Sequence, residues 1–489
     1  MPGLTLPRRL RAAALASLSL AALVSVSFVA ACGEQNPNFC EGAGCTEVDA
    51  AIDAAPITCD TDGPDPTCPA GTPICVSGEC TGMCASDADC VGRPVAESIC
   101  HVPSGACVTC DESNMQALPS STEDDCPGPT TAVCDATSHT CRACTTHSEC
   151  FSGVCDAGRC APPAEVIYMT TGGSDGGNNC DNPAPTMGCL TLNFAISKLT
   201  ATRKYIHMAP SATPYAARNN TDRADFNGDT AHVIGYGAEV RRIGADGEVI
   251  EVRGGSNVLI EGLTVANATN PGSGAGIKVD ASRLELFKAR IQNNAYVGII
   301  AGGTNASLRV TRTTISGNDG GGILATNVPF VLVNNFLVNN GDAASLVAGL
   351  SVSSAGATSV LEFNTIVDNN GDVGISDVNC TNSMVIARNN IINGIATKPR
   401  VNGNCTHRNT LYGPDGTIAG TANTLVADRD MYRFIGSGNY HLDPAANPAS
   451  VAVGAADSTS LLGEALFDFD SQARVSGAAT VDVGADEIP

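Results

Sequence analysis

Residues 276–294 read GIKVDASRLELFKARIQNN, and residues 298–318 read GIIAGGTNASLRVTRTTISGN, which is a variation of the same pattern. Four related lines complete the set and begin at Asn257, Gly322, Gly349 and Gly374. The glycines that open the last five lines are 22, 24, 27 and 25 residues apart. Self-similarity with such a period indicates a solenoid, in which each repeat forms one coil.

Each line contains two short runs in which apolar and polar residues alternate. Ile277 and Val279 belong to the first run of one line, and Leu284 and Leu286 belong to its second run. A period of two predicts β-strands, and the Gly and Asn residues beside the runs predict turns at repeating positions. Leucine-rich repeats share the period and remain an alternative, although no line contains their L-x-x-L-x-L core. The pattern favours an all-β solenoid.

Asparagines recur at fixed positions when the lines are aligned on the apolar residues Ile291, Ile315, Leu337, Ile366 and Ile391. Two positions earlier, the last three lines have Asn335, Asn364 and Asn389. Three positions later, the first four lines have Asn294, Asn318, Asn340 and Asn369. Stacked coils about 4.8 Å apart place such amides in hydrogen-bonded ladders. We therefore expect these asparagines to stabilise turns and not to catalyse a reaction.

The Gly-Ile-x-Val and Ile-x-x-Asn elements of these lines resemble the coils of the pectin-lyase-like superfamily. Residues 166–200 resemble the first strand, loop, Cys pair and capping helix of bacterial β-helix proteins, and residues 205–215 resemble the first coil. Residues 439–456, 468–474 and 481–487 resemble the closing segment of choice-of-anchor Q domain proteins. The resemblance implies a right-handed parallel β-helix over 165–489 and display at the cell surface. The choice-of-anchor Q resemblance by itself implies no particular reaction.

Residues 1–31 resemble the signal peptide of a bacterial lipoprotein. Three arginines precede an uncharged run, and Val29, Ala30 and Ala31 precede Cys32 as in a lipobox. The resemblance implies that Cys32 is lipidated and that the exported protein is anchored to the outer membrane or the cell surface. A signal peptide cleaved without lipidation and a permanent transmembrane helix remain alternatives. The membrane is therefore an expected partner, contacted through the lipid.

Cysteine spacing predicts a disulfide-rich region between the signal peptide and the β-helix. The chain has 23 Cys, and reserving Cys32 for the lipid leaves an even number that can pair. The region 59–160 contains four quartets of cysteines and few large apolar residues, which favours four small modules with two disulfides each. Zinc binding by the C-x-x-C pairs is the alternative. Residues 32–58 are interpreted as a tether and residues 161–164 as a linker.

Four cysteines lie inside the β-helix domain, in two pairs that are close in sequence. We predict one disulfide between Cys180 and Cys189 and another between Cys380 and Cys405. Each of them closes a short loop.

Charge argues against several classes of partner. The chain carries 50 Asp and Glu against 27 Lys and Arg, a formal net charge of −23. Such a chain has no basic field that can neutralise phosphates, so nucleic acid is not an expected partner. The sequence predicts no cofactor and no metal site, and we expect a monomer.

The sequence contains no complete set of motifs for a known polysaccharide-degrading active site. The tripeptide N-T-D at 220–222 occurs in polygalacturonase-like sites, but the D-D, G-H-G and R-I-K motifs that accompany it there are missing from the solenoid. The alignment places Lys288, Arg312 and Arg388 in one column, which makes them a candidate ligand groove. A solvated strand face is the simpler interpretation of this column. The sequence therefore predicts no catalytic residue.

Three functions remain open. The first is a non-catalytic surface lipoprotein that displays a β-helix for adhesion, envelope structure or binding of a protein or glycan partner. The second is a polysaccharide lyase or glycoside hydrolase, which the pectin-lyase-like resemblance implies. The third is a glycan-binding module, which zero Trp and 4% aromatic residues disfavour. We rank the surface lipoprotein first.

Overall fold

The computed structural model describes residues 59, 63–76, 79–91, 99–110, 126, 133–218, 223–242, 244, 247–342, 344–355, 358–371, 375–394, 401–414, 417–436, 438–446, 448–461, 463–474 and 481–488. The signal peptide, Cys32 and the tether lie outside these residues, as does the tripeptide at 220–222. No helix in the described part of the chain is long and apolar enough to cross a membrane.

Three parallel sheets build the domain, and the chain passes from sheet 1 to sheet 2 to sheet 3 before it returns to sheet 1. Sheet 1 contains Val166–Met169, Tyr205–Met208, Thr230–Ile234, Asn257–Glu261, Arg283–Phe287, Ser307–Thr311, Phe330–Val333, Val360–Glu362, Ile386–Arg388, Thr406–Arg408 and Gly420–Thr421. Sheet 2 contains Tyr215–Ala216, Glu239–Arg241, Thr264–Ala266, Arg290–Gln292, Thr314–Ser316, Phe336–Val338, Thr365–Val367, Ile391–Asn393, Leu411–Gly413 and Thr424–Leu425. Sheet 3 contains Ala224–Asn227, Ile250–Arg253, Ile277–Asp280, Val297–Gly302, Gly321–Thr326, Leu350–Ser353, Val378–Thr381 and Val401–Gly403.

This arrangement confirms the predicted all-β parallel β-helix. Strand register stacks like residues on like residues, so that Leu284 lies beside Leu308, and Leu286 beside Val310. These side chains are buried in one apolar core that runs through the coils. Burial of alternate residues in this core is the main force that holds the coils together.

Two asparagine ladders line the turns at either end of sheet 2. In the first, the side chain of Asn335 donates to that of Asn364 at 2.9 Å, and Asn364 donates to Asn390 at 3.0 Å. The second ladder connects successive side chains at 2.8 to 3.0 Å and contains Asn294, Asn318, Asn340 and Asn369. The amide ladders predicted from the sequence are thus confirmed.

The last step of the sequence alignment is wrong by one residue. Ile366 pairs with Ile392, not with Ile391, so Asn390 and not Asn389 belongs to the first ladder. Both isoleucines are buried, because Ile392 faces the core and Ile391 faces the closing segment. At this strand apolar and polar residues no longer alternate in the sequence. The sequence therefore cannot show which of the two isoleucines points into the core.

The first coil is covered by the short α-helix Leu192–Ile196. The side chain of Thr191 accepts a hydrogen bond from the backbone N–H of Phe194 at 3.3 Å and caps the helix. Leu192, Ala195 and Ile196 are buried in the core. In the preceding loop Cys180 is joined to Cys189, and further along the solenoid Cys380 is joined to Cys405.

A closing segment, residues 429–488, packs on the outer face of sheet 2. It contains the 3-10 helices Arg429–Tyr432, Ser458–Ser460 and Gly463–Leu466 and the hairpin Phe434–Gly436 with Asn439–Leu442. Its apolar side chains cover outward-facing residues of sheet 2 that would otherwise be solvated, among them Phe336, Val338, Val367, Ile391 and Leu411. The buried Arg474 fixes the segment because its guanidinium donates to Asn334 Oδ1 at 2.6 Å and to the carbonyls of Phe467 and Gly484.

Four disulfide modules precede the β-helix, and each quartet of cysteines pairs first with third and second with fourth. The bonds are Cys59–Cys75, Cys68–Cys80, Cys84–Cys100, Cys90–Cys107, Cys110–Cys134, Cys126–Cys141, Cys144–Cys155 and Cys150–Cys160. Their described residues form short strands and 3-10 helices: Gly63–Pro64, Ile74–Val76, Glu79–Gly82, Asp87–Cys90, Ile99–His101, Ala106–Val108, Val133–Cys134, Cys141–Arg142, His147–Glu149, Cys155–Asp156 and Arg159–Cys160. The 3-10 helix Pro163–Glu165 links the last module, which we call module 4 (residues 144–160), to the β-helix. Oxidised cysteines cannot ligate zinc, so these pairs remove the zinc interpretation for them.

Candidate functional site

The basic column expected from the sequence does not form one groove. Lys288 and Arg312 occupy equivalent turn positions between sheets 1 and 2, with φ values of 52° and 49°. Arg312 is only 7% exposed, and its guanidinium lies between the rings of Phe287 and Phe467. It also donates to Ser471 Oγ at 2.9 Å and pairs with Glu464. Arg312 therefore holds the closing segment against the coils.

Arg388 lies one position before this column. It ends a strand of sheet 1 and pairs in register with Glu362, whereas Asn389 occupies the turn position. Its Nη1 atom is 3.6 Å from the carboxylate of Glu362. The alignment of Arg388 with Lys288 and Arg312 is therefore wrong, since it inherits the one-residue error made at Ile391. Lys288 and Arg312 are thus neighbours on adjacent coils, Arg388 does not share their position, and Arg312 and Arg388 have acidic partners within the fold.

A different charged group lies on the outer face of sheet 3, which we call the sheet 3 cluster. Asp225, Glu251 and Lys278 are in register on three successive strands, with side chains directed away from the core. Glu251 is at the centre, and its carboxylate is only 4% exposed. Such a buried carboxylate requires cationic or hydrogen-bonding partners.

Three cations surround Glu251. Lys278 Nζ lies 2.9 Å from its Oε1, Arg253 Nε lies 3.4 Å from its Oε2, and Arg223 forms a further ion pair with Oε2. Arg253 also donates to both oxygens of Asp225, at 2.8 and 2.7 Å, in a bidentate pair. The strands thus place acidic and basic side chains of neighbouring coils in a compact array of ion pairs.

These contacts fix the protonation states of the cluster. The hydrogen bond to Glu251 raises the pKa of Lys278, and the hydrogen bond from Arg253 lowers the pKa of Asp225. Lys278 is therefore an ammonium and Asp225 a carboxylate at neutral pH. A lysine in this state donates hydrogen bonds and cannot abstract a proton. The array is suited to polar recognition, for which Lys278 and Arg253 remain 43% and 40% exposed.

The sequence contained a signal for this cluster. The tripeptides Asp225-Phe226-Asn227 and Glu251-Val252-Arg253 alternate polar and buried apolar residues, as Lys278-Val279-Asp280 does in the recognised repeats. The first two tripeptides precede Asn257, where the recognisable pattern begins. Extending the period of the solenoid backwards from Asn257 would have brought these polar positions together.

Comparisons with known proteins add little beyond the fold. No protein-family model matches the chain, and no curated protein matches it. Among solved structures, the chain is similar to the crystal structure of pectate lyase Pel9A, with 13% sequence identity and a TM-score of 0.38. That match covers 66% of this chain and 96% of the other. The class of the protein, a parallel β-helix preceded by disulfide modules, therefore rests on its own sheets and disulfides.

Proposed function

We propose that the protein is a non-catalytic lipoprotein of the bacterial surface, in which the disulfide modules carry a β-helix that recognises an extracellular partner. The observation that carries the proposal is the sheet 3 cluster, because each of its exposed cations is held in an ion pair and Lys278 is protonated. A polysaccharide lyase needs a poised base beside the acidic proton of its substrate. The choice-of-anchor Q resemblance of the closing segment also favours surface display.

Export is supported by the disulfides. The described residues contain ten disulfide bonds, and such bonds persist in oxidising compartments outside the cytoplasm. The lipobox-like residues before Cys32 favour a lipid anchor at the outer membrane or the cell surface. An acidic chain cannot be held there by attraction to anionic lipids, so anchoring depends on the acyl chains.

Anchoring is tested with Cys32→Ala. We expect this variant to move from the membrane fraction to the soluble fraction, because the acceptor thiol for the lipid is removed. Mass spectrometry of the N-terminal peptide checks the modification directly, and Gly33→Ala is the matched control that keeps the thiol. Equal membrane retention of the wild type and Cys32→Ala would contradict the lipid anchor.

Activity is tested on the purified, lipid-free protein. We expect neither unsaturated uronate nor new reducing ends from pectate, alginate or neutral glycans, with or without calcium. The alternative function, a lyase or hydrolase, is favoured by the exposed Lys278 and Arg253 on one open sheet face. Product formation that is lost in Lys278→Ala and retained in Arg290→Ala, a change at an exposed position of sheet 2, would establish that alternative.

A further inference from the structure

Module 4 contacts the first coils of the β-helix through a small junction. Val154 is the one side chain of module 4 that enters an apolar cluster there, among the described residues, and it packs with Val166, Tyr168, Tyr205 and Ile234. Burial of a single valine contributes only about 1.5–3 kcal/mol. The polar contacts of the junction therefore decide whether the module stays in place.

One buried carboxylate collects most of these polar contacts. Glu261, on a strand of sheet 1, lies 3.1 Å from Nε2 of His147 and 3.0 Å from Nε2 of His232. Tyr236 donates its hydroxyl hydrogen to the same carboxylate at 2.8 Å. His147 belongs to module 4, whereas the other groups belong to the coils. Glu261 is thus shared between the two parts of the junction.

The hydrogen bonds of His147 determine the tautomer of its neutral ring. The backbone N–H of Cys155 donates to its Nδ1 at 3.0 Å, so Nδ1 carries a lone pair. The proton of the neutral ring is then on Nε2, where it is donated to Glu261. This assignment also argues against a metal ion between the two imidazoles, since a metal would need the lone pair of Nε2.

Protonation of His147 conflicts with this geometry. A second proton can bind only at Nδ1, where it would face the N–H of Cys155. The hydrogen bond to Cys155 would be replaced by repulsion between two donors. The disulfides Cys144–Cys155 and Cys150–Cys160 prevent the loop from relaxing independently, so the module must shift as a whole.

A third histidine lies under the same module. The backbone of Gly153 packs so closely on His207 that a Cβ atom at Gly153 would lie 2.7 Å from its Nε2. Burial, together with the nearby His147, lowers the pKa of His207 to about 4. An undocked, hydrated ring has its ordinary pKa of about 6.5, so the undocked state binds the proton more tightly as the pH falls between these values.

The remaining titratable groups at the junction are few. Besides His207 the coils contribute Lys204, Tyr205, His232, Tyr236 and Glu261. Besides His147 the module contributes Asp156, which accepts from the Tyr205 hydroxyl and lies 3.9 Å from Lys204, and Arg159, which is paired with Glu165. Burial opposes ionisation of Glu261, but the hydrogen bonds from His147, His232 and Tyr236 lower its pKa below the ordinary value. Acid therefore acts on the histidines, while Glu261 stays charged.

We propose that this junction is an acid-sensitive latch, which holds module 4 on the β-helix near neutral pH and releases it when His147 and His207 are protonated. Release frees the β-helix to reorient on the disulfide modules (residues 59–160), which we call the stalk, while every disulfide stays intact. The latch depends on neither the lipid anchor nor the ligand of the β-helix.

Hydrogen exchange of the full chain, with its disulfides intact, tests the latch. After correction for the intrinsic pH dependence of exchange, we expect protection of the Cys155 amide to fall about tenfold or more between about pH 7.5 and about pH 5. Amides in the middle coils, such as that of Ile315, serve as the internal reference and should not change. Unchanged protection of the Cys155 amide in the wild type would overturn the proposal without the use of any variant.

Three variants identify the groups responsible. His147→Gln keeps a donor and an acceptor but cannot be protonated, so the fall in protection should shrink severalfold. His101→Gln is the matched control, because this histidine belongs to another module and its ring bonds to Ser104 within its own turn, and the fall should persist. Gly153→Ala, at φ +69°, should undock the module at both pH values and shows the exchange of the released state. A full wild-type response in His147→Gln would refute the assignment, and if that variant is already undocked at about pH 7.5, His207→Gln replaces it with the same criterion.

Discussion

Asn364 shows at the scale of a single residue how the interior of the solenoid satisfies its polar groups. Its Nδ2 donates to the carbonyl of Leu332 and to Asn390 Oδ1, at 2.9 and 3.0 Å. Its Oδ1 accepts from the backbone N–H of Asn335 at 3.1 Å and from the Asn335 side chain. Asn364 is fully buried, so water cannot replace these contacts. A side chain with both donors and an acceptor is required here.

We predict that Asn364→Ala lowers the free energy of unfolding by on the order of 2–4 kcal/mol, because it leaves buried backbone and amide groups of three coils without partners. Chemical unfolding followed by circular dichroism measures the change. Asn402→Ala, at an exposed position of sheet 3, is the control and should change stability by less than about 0.5 kcal/mol. A similar small effect at Asn364 would mean that the ladders do not stabilise the coils.

At the scale of elements, the closing segment explains what the sequence does and does not reveal. The coils were predictable because local alternation determines them, and the ladders were predictable because they repeat with the coils. Arg312 looked like a solvated cation, since its partners Glu464 and Ser471 lie about 150 residues away and belong to no repeat. The closing segment also covers the outer face of sheet 2, so both Ile391 and Ile392 are buried. The strand register at Ile391 could therefore not be inferred from the sequence. Contacts between distant, non-repeating segments leave no periodic signal.

The candidate site follows the same rule. Asp225, Glu251 and Lys278 are brought together by the coil period alone, so their proximity was within reach of sequence reasoning. The protonation states of Asp225 and Lys278 were not, because they depend on the hydrogen bonds to Arg253 and Glu251, whose geometry the sequence does not give. Residues 439–456, 468–474 and 481–487 indicated where a closing segment lies in the sequence. They did not indicate which face of the solenoid it covers.

The closing segment should become less stable as the pH rises. The hydrogen bond to Asp486 raises the pKa of His441, and Asp470 adds to the effect at 3.3 Å. A histidine with a raised pKa stabilises the folded state fully below its ordinary pKa of about 6.5 and loses this effect as the pH rises through the folded value. Hydrogen exchange at Leu442, whose N–H donates to Asp486 Oδ2 at 2.7 Å, should therefore be slower at about pH 6 than at about pH 8.5 after correction.

His441→Gln should abolish this difference, because the amide remains neutral throughout the range. His101→Gln lies outside the closing segment and should leave the difference intact. Exchange at Leu442 that responds to pH equally in the wild type and His441→Gln would show that another group is responsible.

At the scale of the whole molecule, the two contacts that hold non-repetitive segments on the solenoid respond to acid in opposite directions. His441 faces two carboxylates and gains stability when it is protonated. His147 accepts the Cys155 N–H at its Nδ1 and His207 packs under Gly153, so a proton added to either ring disturbs these contacts. Mild acid would thus tighten the closing segment while it loosens the stalk. In the described part of the chain, the apolar core of the coils contains no group that titrates in mild acid, and burial lowers the pKa of His407 to about 4. The β-helix would therefore stay folded.

The stalk and the β-helix should also differ in their response to reductant. In modules 1 to 3 (residues 59–80, 84–107 and 110–141), the buried apolar residues of the described part are half-cystines and Val133, with Ala70 packed against them. Such modules lack an apolar core, and loss of a native disulfide from a small domain costs about 2–5 kcal/mol. The coils instead share one continuous apolar core, in which Cys180–Cys189 and Cys380–Cys405 are minor parts.

We therefore predict that reductant removes hydrogen-exchange protection from 59–160 while the coils between Val258 and Ile366 keep theirs. Alkylation of the thiols followed by mass spectrometry verifies that the bonds have opened, and an untreated sample at the same pH is the control. Local loss of protection near Cys405 is expected, because that bond ties two adjacent coils. Loss of protection in the coils at the same rate as in the modules would mean that the disulfides, and not the apolar core, hold the solenoid together.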